Sequence, residues 1–288
     1  MRLIAIGLMC LLSVNGAFAI PGTDISLFKI LTTQKGIELV FSKHLVKRKG
    51  YDNQPAFTAD SNHIYFTRMN DAGSNTDSWR VNVLSSQMTP LTRTTASEYS
   101  PTPRGNDGEF SAVIAEGEKQ SLWLIKDGKH HKRLNAEVEP VGYHAWINAD
   151  AIAMFRLAEP HELVLLDQSN KHRVVAKDIG RSMLPKQDQK TLFFVQNDTD
   201  SKVITEYSTE SDKMRKILAL KSGSEDFTWH KKLGFFQGVG SELFVASNKQ
   251  PQWISLGQWK QQGIVNISRL AVSPDGQWLA VVHQDLGE

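Results

Sequence analysis

The feature that most restricts this chain is an internal repeat, clearest near the C-terminus. There an apolar strand, Leu270-Ala271-Val272, meets a turn, Ser273-Pro274-Asp275-Gly276, and a second apolar strand begins at Trp278. The same arrangement recurs as Phe57, Asp60 and Ile64-Tyr65-Phe66, and as Asp107-Gly108 with Phe110 to Ala115. It recurs again as Trp146, Asp150 and Ile152 to Leu157, then as Leu184, Asp188 and Leu192 to Val195. A weaker copy keeps Trp229 and Leu233 to Phe236 without the aspartate. Phe57 and Val272 stand 215 positions apart, which makes five steps averaging 43. A period of about 40–45 residues carrying short strands is the signature of a propeller blade.

Each unit continues with a third apolar strand, as in Ser121 to Ile125, Glu162 to Leu166 and Glu242 to Ala246, and then a short fourth. The spacing predicts an all-β fold, a six-bladed β-propeller, over residues 20–288 as one domain. One blade cannot bury both of its faces, so blades must stack and the ring must close. The sixth unit lacks its third and fourth strands. Thr23 to Ile30 and Ile37 to Val46 have the right composition to supply them. The last blade is therefore expected to be closed by N-terminal strands, which also removes an exposed sheet edge.

The first residues, MRLIAIGLMCLLSVNGAFA, join one arginine to an apolar stretch and a small-x-small ending. That is the layout of a secretory signal peptide over residues 1–19, cleaved after Ala19. It would remove Cys10, the single cysteine, leaving no disulfide, thiol nucleophile or cysteine-bound metal. Later in the chain no apolar run is long enough for a membrane span. With 33 basic and 31 acidic residues the charge gives no reason to expect a nucleic-acid partner.

The repeats resemble the TolB-like, WD40-related propeller repeats of the PD40 type, whose hallmark LAVSPDGQWLAVV nearly reproduces. The similarity extends to exported bacterial TolB-like proteins through YDNQPAF (Tyr51–Phe57), EYSPT (Glu98–Thr102), VGYHAW (Val141–Trp146), AEPHEL (Ala158–Leu163) and IGRS (Ile179–Ser182). This resemblance implies a six-bladed propeller in the periplasm of a Gram-negative bacterium. It implies no single activity.

Positions at the start of each innermost strand crowd the mouth of a propeller's channel. Aligning the units puts Gln54, Ser100, Tyr143, Arg181, Asp226 and Arg269 there, with Asn53, Tyr99, Gly142, Gly180, Glu225 and Ser268 one step earlier. Convergent polar groups in a concavity mark a binding site, and arginine forks suit carboxylate or phosphate. His144, next to Tyr143, adds an imidazole able to act as a base or ligand. The expected ligand-binding set is thus Asn53, Gln54, Tyr99, Ser100, Tyr143, His144, Arg181, Glu225, Asp226 and Arg269. Its expected occupant is a segment of a periplasmic or envelope protein, or a small anion. No Gly-x-Ser-x-Gly elbow and no metal-ligand spacing occur, so neither catalytic residues nor a cofactor are expected. The alternative is a metal-dependent, lactonase-like hydrolase using Asn53, Glu225 and Asp226, which Arg181 and Arg269 would oppose. The recurring aspartates read as turn caps and the strand tryptophans as inter-blade packing.

Overall fold

Trp278 to Gln284 forms a strand that needs a neighbour on its outer side, and the N-terminus provides it. The computed structural model describes residues 21–286 apart from 105–107, 118, 135, 168 and 250. The expected signal peptide and Asp107 lie outside the described residues. Within them, β1 (Thr23–Thr33) and β2 (Gly36–Val46) form a hairpin, and β1 lies antiparallel to β24 (Trp278–Gln284) from Thr23 opposite Gln284 to Lys29 opposite Trp278. With β23 (Arg269–Val272) inside, the sheet order is β2-β1-β24-β23. The expected closure is what forms.

The other five blades are each four consecutive strands. Blade 1 holds β3 (Asp52–Phe57), β4 (His63–Met69), β5 (Thr76–Asn82) and β6 (Met88–Pro90). Blade 2 holds β7 (Ser97–Arg104), β8 (Glu109–Glu116), β9 (Lys119–Lys126) and β10 (Lys129–Leu134). Blade 3 holds β11 (Val141–Trp146), β12 (Ile152–Arg156), β13 (Glu162–Leu166) and β14 (His172–Lys177). Blade 4 holds β15 (Ile179–Pro185), β16 (Thr191–Asn197), β17 (Lys202–Ser208) and β18 (Lys213–Ala219). Blade 5 holds β19 (Phe227–His230), β20 (Gly234–Val239), β21 (Glu242–Ala246) and β22 (Ile254–Gln258). The hairpin and strands β23 and β24 make blade 6. First strands of successive blades touch all the way round, β23 against β3 included, so the ring is closed. Among the described residues no helix is long and apolar enough to cross a membrane.

The apolar core divides into six clusters, one at each interface between blades. Ile25, Leu27, Val282, Ile64 and Phe66 join blades 6 and 1, while Phe28, Val281, Phe236 and Leu243 join blades 6 and 5. Alternate residues of β1 therefore face opposite neighbours, as the period of two requires. Trp79, Trp123, Trp146, Trp229 and Trp278 pack against these clusters. The turn aspartates act as expected at Asp60, Asp188 and Asp275, which accept backbone N–H groups of Asn62, Lys190 and Gln277 at 3.0, 2.9 and 2.9 Å. Blade 3 differs: Asn148 accepts the N–H of Asp150 at 2.9 Å, so the cap sits two residues earlier. In the last turn Gly276 holds φ +74°, and a Cβ there would come within 2.9 Å of His230 Cε1.

The closure also buries charge. Asp24 on β1 accepts the N–H of Arg48 at 3.2 Å, and the Arg48 Nε lies 2.9 Å from Asp52 Oδ2. Burial pushes the Asp24 carboxyl up from 3.8 to about 6 against the Arg48 hydrogen bond, and nearby Asp285 adds to the rise. The folded chain then binds a proton that the unfolded chain has lost, so stability falls as pH rises from 3.8 to about 6. Asp24→Asn keeps an oxygen for Arg48 and removes this titration. Thermal melts from pH 4 to pH 7 are expected to slope downward less in Asp24→Asn than in the parent, leaving the variant more stable at pH 7.

Candidate functional site at the channel mouth

Sequence places one polar residue at the start of each inner strand, but local backbone geometry decides where it points. In blades 1 to 4 the ladder between first and second strands slips at this level: between Asn53 and Ala56, Tyr99 and Thr102, Val141 and Tyr143, and Ile179 and Met183. Bulges of this kind re-aim side chains. Gln54 and Ser100 adopt φ +58° and +54° within them, a conformation that costs a non-glycine residue about 1 kcal/mol or more. Blades 3 and 4 carry glycines there instead. At Gly180 a Cβ would stand 2.9 Å from the Val195 side chain, so only glycine lets the strand pass.

The expected residues gather in two groups. Around blades 1 and 2 the group is neutral. The Gln54 Oε1 accepts the Ser100 N–H and the Thr67 hydroxyl, both at 2.7 Å. Asn53 Oδ1 accepts the Gln54 N–H at 2.7 Å, and its Nδ2 donates to Thr23 Oγ1 at 3.2 Å. The mouth is thereby tied to the closing strand β1.

The second group is charged and spans blades 3 to 6. Arg181 donates through Nε to Asp226 Oδ2 at 3.1 Å and through Nη2 to the same carboxylate. Arg269 Nη1 lies 3.6 Å from Asp226 Oδ1, and its Nη2 donates to the Tyr143 hydroxyl at 2.9 Å, with the guanidinium 5.0 Å from that ring's centre. Glu225 stands 3.5 Å from the Arg181 Nε and pairs with Lys202. Burial pulls the Arg181 guanidinium down, and the Asp226 carboxylate more than offsets it, so the net shift is upward. Two arginines from two blades thus share one buried acid from a third. Beside them opens a cavity of about 320 Å³, walled by Arg181, Glu225 and Ser268 with Gly223, Ser224, Gly240, Asn266 and Ile267.

Tyr99 and His144 sit elsewhere. Tyr99 packs against the apolar cluster between blades 2 and 3. His144 is 8% exposed, with Nε2 2.6 Å from the Ser111 hydroxyl, which also accepts the Trp146 indole N–H at 2.8 Å. Burial lowers the imidazole to about 3, so it is neutral at ordinary pH. A neutral ring between two blades has the place of a packing residue. Among the residues that aligning the repeats did not single out are Thr67, Lys202, Ser224 and Asn266. Thr67 and Lys202 come from second and third strands, and Ser224 and Asn266 from the connections before β19 and β23, out of phase with the ring.

The metal set of the hydrolase alternative, Asn53, Glu225 and Asp226, is engaged with other side chains and backbone. Asn53 is engaged by Gln54 and Thr23, while both oxygens of Asp226 face guanidinium groups. Among the described residues no three His, Cys, Asp or Glu side chains are grouped to hold a metal.

The architecture has close counterparts among solved structures. A TolB-type structure from Agrobacterium tumefaciens aligns with a TM-score of 0.66 at 12% identity, over 92% of this chain and 99% of that one. The fold is that of the TolB-like propellers. TolB from Acinetobacter baumannii aligns with a TM-score of 0.59 at 9% identity, over 93% of this chain and 65% of that one. A gluconolactonase from Xanthomonas campestris aligns with a TM-score of 0.64 at 12% identity, over 92% and 97% of the two chains. No protein-family model and no curated protein matches the sequence. At these identities the TolB-like likeness is one of fold, and the residues at the mouth must carry the functional argument.

Proposed function

We propose that the protein is a binding propeller of the bacterial periplasm, receiving a carboxylate-bearing ligand or a segment of an envelope protein at the channel mouth. The observation that carries this reading is the convergence of Arg181 and Arg269 on the Asp226 carboxylate beside an open cavity. An internal carboxylate held by two guanidinium groups marks a place where another could be held. The neutral Gln54, Ser100 and Asn53 group on the facing blades offers hydrogen bonds without charge. The hydrolase reading draws on the gluconolactonase likeness, which is one of fold. The commitment of Asp226 to two arginines argues against it at this site.

A photoactivatable side chain placed at Asn266, exposed at the mouth, is expected to crosslink to a partner in periplasmic extract. The same group at Asp150, in the turn at the far end of the inner strand, is expected to give none. Crosslinks from Asp150 alone would move the binding face to the other side of the ring.

A further inference from the structure

The walls of the mouth cavity carry both signs of charge. Arg181 supplies a cation and Glu225 an anion, and both line the same space of about 320 Å³. Ser224, Asn266 and Ser268 add uncharged polar groups, and Ile267 contributes an apolar wall. That volume is at the low end for ligand pockets, which run from about 300 Å³ upward.

Several groups in these walls keep bonding capacity. Arg181 uses Nε and Nη2 on Asp226, and among the described residues its Nη1 has no hydrogen-bond partner. The Ser268 hydroxyl is buried without a partner, and Asn266 spends its Nδ2 on Gln284 at 2.5 Å, which leaves Oδ1. Glu225 is held by Lys202 on one oxygen, while the other meets only the Arg181 Nε, at 3.5 Å. A simple anion could take Arg181, but would then lie against the Glu225 carboxylate, and like charges at that range repel. A simple cation would face Arg181. A ligand carrying one charge of each sign matches both walls at once.

We infer that this cavity takes a small zwitterion, a free α-amino acid or a very short peptide, with its carboxylate on Arg181 Nη1 and the Ser268 hydroxyl and its ammonium on Glu225 and Asn266 Oδ1. The apolar wall at Ile267 admits a small side chain. This assignment rests on reading the mouth as a binding site and names the ligand class for one part of it.

The test is calorimetry on the intact protein with glycine, alanine and glycylglycine, beside acetate and methylammonium as the two halves of the zwitterion. Probe concentrations reach about 10 mM, enough to detect a Kd near 1 mM. At least one zwitterion is expected to bind at neutral pH while acetate and methylammonium give no heat. Glu225→Gln is expected to weaken the zwitterion by about tenfold and to let acetate bind. Acetate binding as tightly as the zwitterions, with Glu225→Gln without effect, would overturn the zwitterion and leave an anion site. Silence from every probe would overturn a small ligand in this cavity, while partner capture by the mouth would stand or fall separately.

Discussion

Deleting residues 23–46 from the chain is expected to abolish cooperative melting. These residues are the third and fourth strands of blade 6, and β1 alone buries Ile25, Leu27, Phe28 and Ile30 almost completely. Burying each such side chain contributes roughly 1.5–3 kcal/mol, so the four together approach the whole stability of a typical domain, about 5–15 kcal/mol. The deletion also strips β24 of its outer partner, opens an apolar edge and removes the faces against which Phe66 and Phe236 pack. Circular dichroism should record a broad, early transition. An undiminished melting temperature would show that the ring closes without the N-terminal strands.

The largest expected effect of a single substitution is at Glu98. This carboxylate is 0% exposed and joins blade 2 to blade 1. It accepts the Ser78 N–H at 3.2 Å, the Ser78 and Thr92 hydroxyls at 2.6 Å each, the Thr94 hydroxyl at 3.0 Å and faces the His130 Nε2 at 3.3 Å. Glu98→Ala leaves the buried Ser78 and Thr92 hydroxyls without their acceptor, while the Ser78 N–H keeps Thr92 Oγ1 at 3.0 Å and the Thr94 hydroxyl keeps the Ala96 carbonyl at 3.2 Å. Each unsatisfied buried group costs about 1–3 kcal/mol. With partial relaxation and entry of water the expected loss is about 3–5 kcal/mol, comparable with breaking a buried ion pair. Denaturant unfolding should register that loss, along with a fall in melting temperature of roughly 10 °C. A change below about 1 kcal/mol would mean that the donors find other acceptors.

The blade count, the strand order and the closing hairpin were legible because they follow from period. A repeat of 43 residues predicts the blades, and residues 23–46 have the composition of the strands that pair with β24. The mouth was legible to the level of position. Gln54, Tyr143 and Arg181 stand third in their inner strands, Ser100 fourth, Arg269 first, and Asp226 just before β19. Which of them bond to one another was not legible, since that depends on side-chain directions set by bulges near Gln54, Ser100, Gly142 and Gly180 that leave no periodic trace. Tyr99 and His144 stand one residue from Ser100 and Tyr143, so the alternation of a strand turns them toward the interface between blades 2 and 3. Lys202 escaped notice because it reaches the mouth from a third strand. The buried carboxylates Asp24, Asp52 and Glu98 also gave no signal, since an acid at a strand start reads as exposed until its partners are known.

The central claim is that the charged half of the mouth captures a partner, and its most direct test removes that charge without leaving any of it buried alone. A triple variant, Arg181→Met, Arg269→Met and Asp226→Asn, takes out both guanidinium groups together with the carboxylate they enclose. Affinity capture from periplasmic extract is expected to recover the partner with the parent protein and to lose it with the triple variant, whose melting temperature should stay within a few degrees of the parent's. Recovery of the same partner by the folded triple variant would contradict the account.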